Sequence, residues 1–232
     1  MKLFNNVISA MVVGVIFLII VPLPTWLLDF MFITNLAISL VILLTTMYIK
    51  RALEFSIYPS FLLITTLFRL ALNISCTRSI LRNEGYAGEV VKTFGEFVIQ
   101  GDVVVGLVIF LIIVLVQFIV ITKGSERVAE VSARFTLDAM PGKQMAIDAD
   151  LSSGLIDEDT ARQRRSDIQR EADFFGSMDG ASKFVKGDAI MSLVTTFINL
   201  IGGILVGFMT GVGSFGEIMQ IYSTATVGDG LM

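Results

Sequence analysis

The chain has 232 residues, of which 54% are hydrophobic and only 16% charged, against about 25% charged in a soluble domain, so lipid rather than water is its main solvent. The formal net charge of −4, from 17 Lys+Arg against 21 Asp+Glu, gives no case for nucleic-acid binding. Histidine is absent and Cys76 is the single cysteine, which excludes a disulfide framework, argues against any metal or haem site, and leaves proton chemistry to carboxylates.

A bilayer core is crossed by ~20 apolar residues of helix, and five runs are long enough: 5–28, 30–49, 55–81, 103–122 and 189–216. The first is no cleaved signal peptide, because it lacks an A-x-A-like site and a second apolar run follows at once. A helical hairpin turning at Val21-Pro22-Leu23-Pro24 is the better reading. The third run is interrupted by Arg69 and Arg78, and the fifth is rich in glycine (Gly202, Gly203, Gly207, Gly211, Gly213). The expected fold is therefore all-α, a polytopic membrane helix bundle with a small helical cytoplasmic insert. Three regions follow: a membrane region over 1–122 with about four crossings, the insert over 123–187, and a fifth crossing with the start of a following segment over 188–232.

Orientation follows from Lys and Arg in the short loops. With the N-terminus inside, the inner segments hold Lys2, Lys50, Arg51 and ten more basic residues from Lys123 to Lys186. The outer loop 78–102 holds Arg78, Arg82 and Lys92. The N-terminus and the insert are thus expected in the cytoplasm. The insert breaks the composition of the chain, with ten basic and thirteen acidic residues between Lys123 and Asp188. Pro141-Gly142 signals a turn. Asp157 is a fair N-cap for a helix through Glu158, Ala161, Arg165, Ile168 and Ala172. Gly176 and Gly180 mark a further turn, with a helix restarting near Ala181.

Two membrane positions stand out. A charge at the bilayer centre costs ~2.5–3.5 kcal/mol on insertion scales and normally faces a partner or water. Arg69 is such a charge, and Asn73 lies one turn on at i+4. The pair reads either as a packing clamp to a carbonyl or carboxylate, or as part of a conduction path. Asp188 opens the fifth apolar run. It reads either as an acid favoured by a helix N-terminus, or as a proton-exchanging carboxylate placed between lipid and the lysines Lys183 and Lys186, with Asp179 nearby. The cluster of Asp157, Glu158, Asp159, Arg162 and Arg165 is a solvated face. Gly176–Lys183 fails as a phosphate loop, because no strand precedes it and the lysine does not follow the glycine.

Three blocks carry a resemblance. They are Pro59-Ser-Phe-Leu-Leu-Ile-Thr-Thr-Leu-Phe-Arg69-Leu-Ala-Leu-Asn73, then Arg134-Phe-Thr-Leu-Asp138-Ala-Met-Pro141-Gly142-Lys143-Gln144-Met145-Ala-Ile-Asp148-Ala-Asp150-Leu, then Glu171-Ala-Asp-Phe-Phe-Gly-Ser-Met178-Asp179-Gly-Ala-Ser-Lys183-Phe-Val-Lys-Gly187-Asp188. They resemble the signature of the flagellar and type III secretion export-gate family, which comprises FlhA and its injectisome counterpart, and the resemblance spans the whole chain.

The resemblance implies a non-enzymatic component of a homo-oligomeric ring in the bacterial inner membrane. That ring helps couple the proton motive force to export of unfolded proteins, alongside other export-gate membrane subunits and a separate ATPase complex. It places the family's coupling residues on Arg127, Arg134, Asp138, Asp179, Lys183 and Asp188, with Asp188 as the proton carrier and Arg127, Arg134 and Asp138 as the relay. The signature turn falls on Pro141, Gly142 and Lys143. Family members continue into further helices and a C-terminal domain that docks substrates, so the chain is expected to be a fragment. Two rival readings are a self-contained proton or cation channel or carrier, and a membrane scaffold without ionic role.

Overall fold

The computed structural model describes residues 13–50 and 52–232. Residues 5–12 of the first apolar run, and the Lys2 and Arg51 used for orientation, lie outside the described residues. Helical residues 13–20 (α1) end at the break 21–24, and α2 (Thr25–Tyr48) follows. The turn expected at the two prolines is where the helix breaks. Residues 52–55 form a short 3-10 turn, and Pro59 sits in the first turn of α3 (Tyr58–Arg82), where its missing N–H has no helical partner to lose. Arg78, which interrupts the third apolar run, donates from its guanidinium to the carbonyls of Ile19 and Ile20 at 2.6 and 3.0 Å. Ser75 Oγ donates to Leu18 O at 2.9 Å. These α3 side chains satisfy carbonyls that the end of α1 leaves without helical donors.

The loop expected over 78–102 is instead largely helical. α3 runs on to Arg82, and α4 (Glu89–Ile99) occupies most of the remainder. The signal for α4 lies on α2, because Asp29 accepts the backbone N–H groups of Glu89 and Val90, each at 3.0 Å. A carboxylate 60 residues upstream thus supplies the N-terminal cap. Asp102 then caps α5 (Val103–Ile119) through the N–H groups of Val104 and Val105. A π-helical segment, Val120–Ser125, joins α5 to α6 (Glu126–Ser152) without a break.

The insert is a hairpin of two long antiparallel helices, α6 and α7 (Glu158–Phe197). Asp157 caps α7 as expected, with its side chain accepting from Thr160 N at 2.8 Å. The expected turn at Pro141-Gly142 is corrected, since both residues lie inside α6. The expected break at Gly176 and Gly180 is corrected as well, since α7 runs through both. Each interior glycine costs about 1 kcal/mol, and packing along the hairpin outweighs it. Ala133 and Ile147 of α6 and Ala161, Ala172 and Ala181 of α7 are buried. Ion pairs join the two helices at Lys143–Glu171 (2.8 Å), Arg164–Asp150 (3.2 Å), Arg165–Asp148 (2.5 Å) and Lys186–Glu126 (2.8 Å).

A second π-helical segment, Ile198–Gly202, carries α7 into α8 (Gly203–Thr210), which ends at Gly211 with φ +68°. The fifth apolar run therefore stops before 216. Ser214 and Glu217 form a capping box that starts α9 (Phe215–Gly230). The main core joins Leu28 and Phe32 of α2, Leu72, Cys76 and Ile80 of α3, Ala87 just before α4, Val91 of α4, and Ile218, Tyr222 and Ala225 of α9. Gly207 leaves room for Ile218 and Tyr222, each of which would lie 2.8 Å from a Cβ there. Among the described residues no strand is present, and four helical stretches are long and apolar enough to cross a membrane: Thr25–Tyr48, Tyr58–Arg82, Val103–Ser152 and Glu158–Thr210. They correspond to the second to fifth apolar runs.

Candidate functional site

The polar face of α3 is built from positions 69, 73 and 76, which stack at i, i+4 and i+7. It faces α7 and α9. Arg69 Nη1 lies 3.4 Å from Asp188 Oδ2, with the side chains 25% and 5% exposed. The two residues that stand out separately in the sequence are therefore partners, and the clamp reading of Arg69 acquires its carboxylate. The capping reading of Asp188 does not survive, because α7 begins at Glu158 and Asp188 lies deep in its interior. An interior position has no free N–H groups to stabilise a charge. Arg69 Nε, Asp188 Oδ1 and Asn73 Oδ1 are buried without a hydrogen-bond partner. A cavity of about 20 Å³ opens at the pair, bordered by Arg69, Asp188, Gln117, Ser192 and Gly230. That is room for about one water.

Eleven residues past Asp188, about three helical turns on, lies a second polar pair that the sequence analysis does not single out. Asn199 Nδ2 donates to Asp229 Oδ2 at 2.8 Å, and the two side chains are 0% and 3% exposed. Asn199 stands in the π-helical segment of α7 and Asp229 in the last turn of α9. The Cys76 thiol packs against Asp229. The available signal was a lone acid in an otherwise uncharged stretch, 218–232.

The remaining predicted residues fall outside this cluster. Lys183 pairs with Asp179 at 2.8 Å, one turn apart on α7. The hydrogen bond and charge of Asp179 push the Lys183 ammonium above the usual lysine range. Five residues separate Lys183 from Asp188, which sets the two on different faces of a 3.6-residue helix, and the charged partner of Asp188 is Arg69. On α6, Glu130 accepts from Arg127 at 2.9 Å and lies 3.7 Å from Arg134. Asp138 is exposed on the same helix and forms no ion pair among the described residues. Lys143 is a cross-hairpin partner of Glu171. Among the described residues no cluster of side chains is arranged to hold a metal ion.

An all-α bundle of membrane-length helices that closes an arginine and two acids into its interior, with a charged hairpin continuous with two of those helices, is a polytopic membrane protein with a polar centre. The FHIPEP family profile matches residues 15–232, and the chain belongs to the FHIPEP family. It is 56% identical over 221 residues to the flagellar biosynthesis protein FlhA of Bacillus subtilis, covering 95% of this chain and 32% of that protein. It is 55% identical over 224 residues to the harpin secretion protein HrpI of Erwinia amylovora, covering 97% of this chain and 31% of that protein. It is 53% identical over 225 residues to the low calcium response locus protein D of Yersinia pestis, covering 97% and 32%. The chain thus spans about a third of the length of the curated relatives it matches. No solved structure matches it.

Proposed function

We propose that this chain forms membrane helices of the export gate in a flagellar-type (type III) protein secretion apparatus, and that it couples the proton motive force to export through Asp188. The observation that carries the reading is the Arg69–Asp188 pair, 3.4 Å apart and almost wholly removed from solvent on the acid side. An ionisable pair inside a membrane bundle marks an ion pathway. Each elementary charge moved across the membrane potential releases ~2.3 kcal/mol per 100 mV, enough for a few protons to drive a two-state change. Protonating Asp188 removes the charge that holds Arg69, a local event able to bias α3 against α7.

In this reading the protein lies in the bacterial inner membrane with its N-terminus and the 123–187 hairpin in the cytoplasm. It assembles as a homo-oligomeric ring with the other export-gate subunits and works beside the ATPase complex. Export substrates are met by a C-terminal domain. Asp179, Lys183, Arg127, Arg134 and Asp138 line the hairpin, where a change at Asp188 would be relayed.

The test uses the full-length protein in cells. Asp188→Asn keeps the size and cannot titrate, while Asp188→Glu keeps the titration. The reading requires Asn to abolish export while the protein still accumulates in the membrane, and Glu to retain part of it. Export at the parental rate in the Asn variant would end it.

A further inference from the structure

We propose that Asp229 is a second proton-binding carboxylate, and that it shares the Arg69 counter-charge with Asp188 so that the cluster holds one exchangeable proton. The inference rests on the proton-coupling reading of Asp188 and deepens it.

Arg69 is the cation of the cluster and lies 3.4 Å from Asp188 of α7, while the second buried acid, Asp229 of α9, lies beyond ion-pair distance next to Gly230, which borders the cavity at that pair. Among the described residues no other charged side chain is paired with either acid. α5 over Val103–Ile119 and α8 over Gly203–Thr210 contain no charged residue. From α3 the further titratable neighbour is Cys76. On α4, Lys92 and Glu96 border a separate surface groove with Thr224, and Asp29 of α2 is engaged by the amides of Glu89 and Val90. Glu217, on α9 itself, is held by Ser214 at the opposite end of the helix. An isolated carboxylate buried in a low-dielectric interior takes up a proton rather than remain charged. One guanidinium can neutralise one carboxylate, so the second acid must bind the proton.

The surroundings of Asp229 suit a group that changes protonation state. Asn199 donates its amide N–H to Asp229 Oδ2 at 2.8 Å, while Asn199 Oδ1 and Asp229 Oδ1 are both buried and unpartnered. A primary amide serves either state: its NH₂ donates to a carboxylate, and its oxygen, after rotation, accepts from a carboxylic acid O–H. Asn199 sits in a π-helical segment, a local widening found often at functional sites. The cavity at Arg69 and Asp188 reaches the end of α9, where it is bordered by Gly230, the neighbour of Asp229. In the transfer, the O–H bond broken on one carboxyl is matched by one formed on the other. A water in the cavity carries the proton, and the guanidinium follows the negative charge.

The experiment is infrared spectroscopy of the chain in lipid vesicles near neutral pH, reading the carbonyl band of protonated carboxyl groups. One such band is expected, lost in Asp229→Asn and shifted but retained in Asp229→Glu. Asp188→Asn frees Arg69 to pair with Asp229, so the band should vanish there as well, whereas Arg69→Gln should roughly double its area. A band indifferent to both Asp229 substitutions overturns the proposal. So does a band that survives unchanged in Asp188→Asn, since the acids would then not share a counter-charge. Loss of export in Asp188→Asn beside a surviving Asp229 band would sink the sharing alone. Normal export beside a vanished band would sink the proposed function and leave the shared proton standing.

Discussion

Gly228 of α9 packs directly against the backbone carbonyl of Val91 of α4, leaving no space for a Cβ. Gly95 of α4 meets Thr224 of α9 in the same way. The two helices therefore touch backbone to backbone, the close approach that small residues allow within membranes.

Gly228→Ala and Gly95→Ala should each push α4 and α9 apart, at ~1–3 kcal/mol as for overpacked cores. Gly180→Ala is the control, because a Cβ there meets nothing within 4 Å and the residue lies inside α7. It should stabilise by about 0.5–1 kcal/mol. Thermal unfolding in detergent separates the cases, and a neutral Gly228→Ala would mean that the α4–α9 contact is not close.

Asp29 should be tested as the cap of α4. Asp29→Ala removes the acceptor for two backbone N–H groups, a loss of about 0.5–2 kcal/mol for N-caps generally, while Asp29→Asn should retain most of it. Hydrogen exchange at Glu89 and Val90 is the direct reading, with faster exchange expected in the Ala variant alone.

A double-mutant cycle addresses the central ion pair. Removing one partner of a buried pair leaves the other uncompensated, at ~3–5 kcal/mol. Arg69→Ala should therefore be more damaging alone than when combined with Asp188→Asn. Additive losses would show that the two side chains do not interact.

Asp157 supplies a pH dependence outside the membrane. Its hydrogen bonds with Thr160 hold the carboxyl below the usual aspartate range. A lowered folded-state value means that the stabilisation is present above the unfolded value, about 3.9, and is lost as pH falls through the folded one. Circular dichroism should thus show the parental chain losing hairpin helix in acid over a range where Asp157→Asn, whose cap does not titrate, changes less. Identical acid profiles would remove the cap from the account.

Topology is tested by a reporter fused near Ser152, at the hairpin tip. Activity on the cytoplasmic side is expected. Activity confined to the outer face would reverse the orientation and with it the direction of proton movement.

Arg69 and Asp188 could be singled out in the sequence because charge in an apolar run is costly wherever it occurs. Their pairing could not be read, since 119 positions separate them and only the packing of α3 against α7 brings them together. Lys183, near in sequence, was the more obvious partner, and the helical period turns it away. The same cause accounts for Pro141, Gly176 and Gly180. Local breaking signals worth about 1 kcal/mol for a glycine yield to a hairpin laced by ion pairs along its length. Several charged residues of the signature blocks, Lys143, Asp148, Asp150 and Glu171, are such cross-hairpin partners, so part of what made the signature recognisable is structural.

The unbroken passage of α5 into α6 has a mechanical meaning. Val103–Ser152 is 50 residues of continuous helix, and at 1.5 Å per residue the α6 portion reaches about 40 Å from the π-helical segment to its tip. A helix acts over that distance as a lever. A tilt of about 5° at the membrane end displaces the tip by about 3.5 Å over such a length, and the ion pairs to α7 oblige the second arm to swing with it. Sub-ångström repacking around a buried charge is thereby geared up to a displacement of side-chain size at the tip, and Pro141, inside the arm, is the point where part of it can be absorbed.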